Sequence, residues 1–196
     1  MSYHDTTQTS PKYNNHPWPE TGLDYFGPDS RRAVLAELFQ LSLDDVKTLP
    51  LEIEPPFACD YGTNIRFRGP LYANFNLTIL DCNRVTFGAR CLLGPNVQIY
   101  ASTLSSSVEE RQAGLERAYA VEIGDDCFIG GNAVVCGPAR IGKGVTIAAG
   151  AFVQGDIPDY VVVAGSPARI VKHLKPSTEV TDASATAPPP HRPYQS

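Results

Sequence analysis

An all-β coil of short, stacked strands is the fold this 196-residue sequence predicts, on three observations. From about Phe57 to Val163 the chain is cut into short apolar runs separated by Gly, Asn and Asp. Every sixth residue from Ile123 is aliphatic: Ile123, Ile129, Val135, Ile141, Ile147 and Val153. Four of these are followed by small residues, Gly124, Gly130, Gly142 and Ala148. A helix needs a period of about 3.6 and a half-buried strand a period of about 2, so neither explains consecutive hexads. Such a hexad is one flat face of a coil: the aliphatic residue enters a narrow core, and the small residue permits a tight corner.

The elements follow in chain order. Residues 1–24 read as a polar N-terminal tail, and 25–56 as a helical cap. Within that cap, Asp29 and Ser30 can start a helix running to about Gln40, with Val34, Leu35, Leu38 and Phe39 as an apolar stripe at helical spacing. Residues 57–163 form the coil, whose earlier hexads show at Phe67, Ala73 and Ile79 and again at Phe87, Leu93 and Ile99. The eight-residue step from Ile79 to Phe87 reads as a small turn or bulge between rungs. The fifth residue of each later hexad is also apolar: Cys127, Ala133, Ala139, Val145, Ala151 and Ile157. A Ser/Glu/Arg-rich excursion at 101–120 interrupts the repeat, and inserted loops of this kind usually carry function. Residues 164–175 are expected to close the coil as a C-terminal helix, and 176–196, rich in Pro, Ser, Thr and Ala, to be a disordered tail.

Composition limits the function classes. A net charge of −5 with no basic stripe argues against a nucleic-acid partner, because nothing here neutralises a run of phosphates. The polar N-terminus lacks the apolar run of a signal peptide, and no segment has the length to span a bilayer, so a cytoplasmic protein without membrane contact is expected. Cys59, Cys82, Cys91, Cys127 and Cys136 are odd in number and lack C-x-x-C spacing, so neither a disulfide framework nor a metal site is expected.

Several stretches, PPFACDYGTNI, YANFNLTILD, GPNVQIY, GLERAYAVEIGDDCFIGGNAVV and VVVAGSPARIV, occur in an order and spacing that resemble the hexapeptide-repeat acyltransferases. The likeness is to the maltose/galactoside O-acetyltransferase group and covers roughly residues 25–172. It implies a left-handed parallel β-helix, against the usual right-handed crossover, and a homotrimer with clefts between subunits that a neighbour's long loop completes. It also implies acetyl transfer from acetyl-CoA to a sugar hydroxyl, with a loop histidine as general base.

By that resemblance the histidine position falls at Leu104, within Thr103-Leu104-Ser105. The histidines of the chain are His4, His16, His173 and His191, all outside the coil and its loop, and His173 is expected on a helix surface. The cofactor side departs too: Val153-Gln154-Gly155-Asp156 stands where the family commonly carries a lysine, and Gly137-Pro138 inverts its usual Pro-Gly turn. Gly131, Ala149 and Arg169 fall at positions that would line or contact a CoA cofactor.

On the substrate side the resemblance marks Asp60, Asn74 and Glu116 as catalytic candidates, with Glu116 raised in pKa by a partly dry cleft. Leu104, Tyr100, Cys82, Thr103 and Arg117 are the expected substrate-binding set, with Ser102 and Ser105 as further hydrogen-bonding groups. Leucine at 104 makes the pocket suit an apolar molecule. The reading drawn from these changes is a repurposed, non-acetylating enzyme of isomerase, cyclase or lyase type, with secondary metabolism as its expected setting, that requires no cofactor and acts on a small apolar metabolite. Its alternatives are an acetyl-CoA-dependent O-acetyltransferase lacking the histidine, and a non-catalytic trimeric scaffold.

Overall fold

The computed structural model describes residues 11–15, 29–42, 44–45 and 49–176. The remainder of both expected tails lies outside the described residues.

The coil is a three-faced left-handed β-helix. Its first face stacks β1 (Leu51–Ile53), β4 (Leu71–Ala73), β7 (Cys91–Leu93), β12 (Phe128–Ile129), β14 (Thr146–Ile147) and β16 (Val161–Ala164), all parallel. The other two faces form one bent sheet. On the second face lie β2 (Phe57–Cys59), β5 (Leu77–Leu80) and β8 (Gln98–Tyr100), and on the third β3 (Ile65–Phe67), β6 (Val85–Phe87) and β11 (Val121–Ile123). Two longer strands, β13 (Val134–Ile141) and β15 (Phe152–Ile157), round the corner and join these faces. The coil starts at Leu51, six residues ahead of the expected boundary at 57.

Each face of a coil turns two residues inward, which is the hexad made physical. Ile123, Ile129, Val135, Ile141, Ile147 and Val153 are all buried, as are Cys127, Ala133, Ala139, Val145 and Ala151. Ile157 is only partly buried, and the last corner is two residues shorter, so Ile157 pairs with Ile141 and not with Ala139. The small residue after each aliphatic lies under the next coil's backbone. A Cβ on Gly130 would come within 2.5 Å of the Ala149 amide nitrogen, and one on Gly94 within 2.5 Å of that of Gly131. Gly130→Val is therefore expected to lower unfolding free energy by about 3 kcal/mol, read as a shifted denaturant midpoint, since the added bulk meets main chain that cannot swing aside.

Corners use left-handed backbone. Asn76, Asn96 and Asn132 repeat at one corner with φ of 63°, 59° and 59°, and the Asn76 amide donates to Asn96 Oδ1 at 2.9 Å. Asparagine and glycine tolerate this conformation best. An asparagine ladder therefore runs through 76 and 96, two residues beyond Asn74.

The N-terminal end is plugged by α1 (Asp29–Phe39), whose Val34, Leu35, Leu38 and Phe39 are buried as the stripe predicts. Phe39 meets Phe57 and Phe67 at ring distances of 5.9 and 5.0 Å, and Phe67 stacks on Phe87. Gln40 ends the helix in left-handed conformation (φ 53°), and Leu41 N–H donates to Ala36 O. Part of the expected N-terminal tail is docked. Tyr13 is buried with its hydroxyl donating to Ile53 O, and the Asn14 amide both donates to Phe57 O and accepts from Phe57 N, covering the first open strand edge.

The C-terminal helix expected at 164–175 is replaced by β17 (Arg169–His173), antiparallel to β16. The last strand of the first face leaves N–H and C=O groups unpaired, and the extended Arg169-Ile170-Val171 run satisfies them. His173 thus lies on a strand.

One outward residue carries a pH dependence. Glu52 is half-buried, and burial pushes its carboxyl up to about 7, with the charge of Glu54 adding and Arg32 opposing. A carboxyl raised in the fold contributes stability that is present below its unfolded pKa and is lost as pH rises toward 7. Glu52→Gln is expected to remove that slope and gain at most about 1 kcal/mol at pH 8 after solvent screening, measured by urea melts across pH.

Candidate active site at one corner of the coil

The corner between the second and third faces departs most from the hexad. In the first two coils it holds two extra residues, so that Phe57 is followed by Ile65 and Leu77 by Val85 as matching inward positions. In the third coil the 101–120 excursion leaves from the same corner. It is an ordered arm: β9 (Ser102–Leu104) pairs antiparallel with β10 (Glu116–Ala118), and a short helix α2 (Val108–Gln112) lies between them. Ser107 caps that helix through the Glu110 amide.

These insertions gather a cluster. Asp81 is fully buried, accepts from the amides of Asp60 and Tyr61 at 3.1 and 2.9 Å on Oδ1 and of Asn64 at 3.2 Å on Oδ2, and so fixes the 60–64 turn. The Asn64 side-chain amide closes the turn onto Asp81 O at 2.7 Å. The Asp60 carboxylate, presented by this turn, accepts from Cys82 Sγ at 3.4 Å. Burial raises the Asp60 carboxyl above the ordinary range, the Cys82 hydrogen bond opposes this, and the charges of Asp81 and Glu116 add to it. The Cys82 thiol is pushed up chiefly by burial, with Ser102 at the base of the arm opposing the shift.

In the arm, Leu104 and Glu116 are directly opposite each other, as are Thr103 and Arg117. Leu104 is 61 % exposed, and Val108 and Leu115 are also exposed apolar residues. Glu116 is exposed, so the burial expected for it falls on Asp60 instead. Arg117 is committed to Glu110 of α2, with Nη2 at 2.7 Å from both carboxylate oxygens. The Tyr100 hydroxyl donates to Gln98 Oε1, and Thr103 Oγ1 to Leu104 O at 3.3 Å.

The other expected site residues lie elsewhere in the chain. Asn74, with Oδ1 accepting from the Phe75 amide at 2.8 Å, sits at the corner between the first and second faces. Gly131 and Ala149 follow on that same corner in later coils, next to β12 and β14. Arg169 borders a groove of about 370 Å³ at the C-terminal end, lined also by Phe152, Gln154, Gly155 and Pro167. The Gln154 amide donates to Gly137 O at 3.2 Å.

The structure thus unites Asp60, Cys82, Leu104 and Glu116 and separates them from Asn74, Gly131 and Ala149. Asp81 was missed in the sequence; the signal for it was the eight-residue step, whose two additional residues shape this corner. Among the described residues no group of three or more His, Cys, Asp and Glu side chains is placed to hold a metal ion, and no helix is long and apolar enough to cross a membrane.

Residues 120–155 match the bacterial transferase hexapeptide (six repeats) family. A Schizosaccharomyces pombe protein carrying an acetyltransferase name is 39 % identical over 78 % of this chain and 74 % of its own length. The galactoside O-acetyltransferase of Escherichia coli is 38 % identical over 62 % of this chain, which spans 60 % of that enzyme, less than two thirds. Among solved structures, a hexapeptide-repeat acetyltransferase from Vibrio cholerae complexed with acetyl-coenzyme A superimposes with a TM-score of 0.75 at 31 % identity, covering 87 % of this chain and 85 % of that one. With its hexad coil, inserted arm and these likenesses, the chain belongs to the hexapeptide-repeat acetyltransferase family.

Proposed function

We propose that the protein transfers an acyl group from a coenzyme A thioester to the hydroxyl of a small, rather apolar acceptor, in clefts between the subunits of a homotrimer. The observation that carries this reading is the split of the site over two corners. Asp60, Cys82, Leu104 and Glu116 lie at one, and Asn74, Gly131 and Ala149 at another, so a working site needs one corner of each of two copies. Exposed apolar residues support such an assembly. Phe75, Leu92 and Phe128 lie on or beside the first face, and Leu104, Val108 and Leu115 on the arm.

The roles follow from the chemistry. Asp60, half-buried and raised in pKa, is the group suited to accept the hydroxyl proton, replacing the histidine that the resemblance expects at Leu104. Leu104 supplies an apolar wall for the acceptor, and Glu116 opposite it keeps the pocket acidic. Asn74 of the partner subunit is the donor suited to a developing oxyanion. The donor supplies the electrophilic carbonyl: the acceptor oxygen bonds to it, the carbon–sulfur bond breaks, and the proton held by Asp60 leaves with the thiol. The groove fits a long, partly apolar chain ending in anionic groups, with Arg169 as its cation.

A second reading, non-acetylating proton-transfer chemistry of isomerase, cyclase or lyase type without a cofactor, is favoured by the tied Gln154 amide and by Leu104, which together remove a cofactor lysine and the usual base. Calorimetric titration of the intact protein with CoA separates the two. Micromolar binding weakened about tenfold by Arg169→Ala, as for one exposed charge-assisted contact, supports acyl transfer. A trimer that binds no CoA moves the assignment to the second reading.

A further inference from the structure

We infer that Cys82 is a positioning residue for Asp60: its thiol holds one carboxylate oxygen and ties the 60–64 turn to the second coil. The inference rests on the reading of Asp60 as proton acceptor and goes beyond it by naming what sets that residue's geometry and ionisation.

Two contacts carry it. Cys82 Sγ–H donates to Asp60 Oδ2 at 3.4 Å, which fixes that carboxylate oxygen toward the second coil. The amide of Asp60 is bound to Asp81, the residue immediately before Cys82, so consecutive residues of the second coil grip the main chain and the side chain of the first. A neutral donor stands at position 82, and the carboxylate it meets stands one coil away at Asp60.

The thiol is a donor for a stated reason. Burial holds it protonated well above neutral pH, so it meets the carboxylate as S–H and not as thiolate. Among the described residues the titratable groups that act on Asp60 are Cys82, Asp81 and Glu116, and the two carboxylates both oppose its ionisation. Cys82 is the one among these three that favours it.

The test replaces the thiol without opening space for water. Cys82→Val keeps the volume and deletes the donor; Cys82→Ser keeps a donor. Carbon-13 NMR of the full chain labelled at aspartate carboxyls, with Asp60 assigned from Asp60→Asn, reads its titration directly. Cys82→Val is expected to raise the Asp60 midpoint by about one pH unit, and Cys82→Ser to hold it within about 0.3. The acid limb of kcat/KM for acyl transfer moves up with it, with KM little changed. An Asp60 titration identical in wild type and Cys82→Val overturns the inference, whatever happens to Tm. If the NMR shift occurs while no acyl transfer is found, the positioning stands and only the proposed reaction falls.

Discussion

Asp60→Asn is expected to lower the kcat for acyl transfer by about 100- to 10,000-fold, the usual contribution of a general base. Asparagine keeps the shape and the Asp60 amide contact with Asp81, so the turn persists. It also removes a carboxylate that burial and two like charges destabilise, so Tm is expected to stay level or rise slightly. A parallel fall in Tm and activity would mean that Asp60 is a turn residue only. The wild-type pH profile carries the same sign: activity rises as Asp60 loses its proton, at a pH above the ordinary aspartate range because burial raises that carboxyl.

Leu104→His is expected to restore about 100-fold or more of transfer in the Asp60→Asn background. Leu104 lies 61 % exposed, so the substitution costs the fold little. Its cross-strand neighbour is Glu116, and directly opposed positions of an antiparallel pair stand about 5 Å apart at Cβ, close enough for a carboxylate to orient an imidazole. The arm therefore already contains the partner that a histidine base needs. Thiol release from acetyl-CoA measures the rescue; a double variant no faster than Asp60→Asn alone would mean that position 104 does not face the reacting atoms.

The fold was legible because its period is unusual. Two inward residues per face, with small residues where coils touch, left a hexad at Ile123 to Val153 that other architectures do not produce. The ends were less legible. Arg169 to His173 has no strict alternation, and its strand state comes from the open edge of β16, a tertiary partner that local pattern does not encode. Tyr13 and Asn14 sit in a polar stretch, yet they dock because β1 and β2 need covering.

The site was legible in composition and less so in arrangement. Asp60 and Glu116 were visible as carboxylates, but which one is dry depends on the arm, where strand pairing leaves Glu116 exposed. Asn74 was visible in YANFN, while its separation from Asp60 follows from the coil's triangular section. Asp81 left only an indirect trace, a rung two residues too long, because a buried aspartate that binds main-chain amides has no motif of its own.

Acyl transfer at this corner, with Asp60 as the proton acceptor, is the activity we propose. Its most direct test is transfer of an isotopically labelled acetyl group from acetyl-CoA to a panel of small apolar alcohols, with product esters read by mass spectrometry for wild type and Asp60→Asn. Wild type is expected to form labelled ester at least about 100-fold faster than Asp60→Asn. Equal ester formation by the two proteins, or none above the uncatalysed background from a CoA-binding wild type, would contradict it.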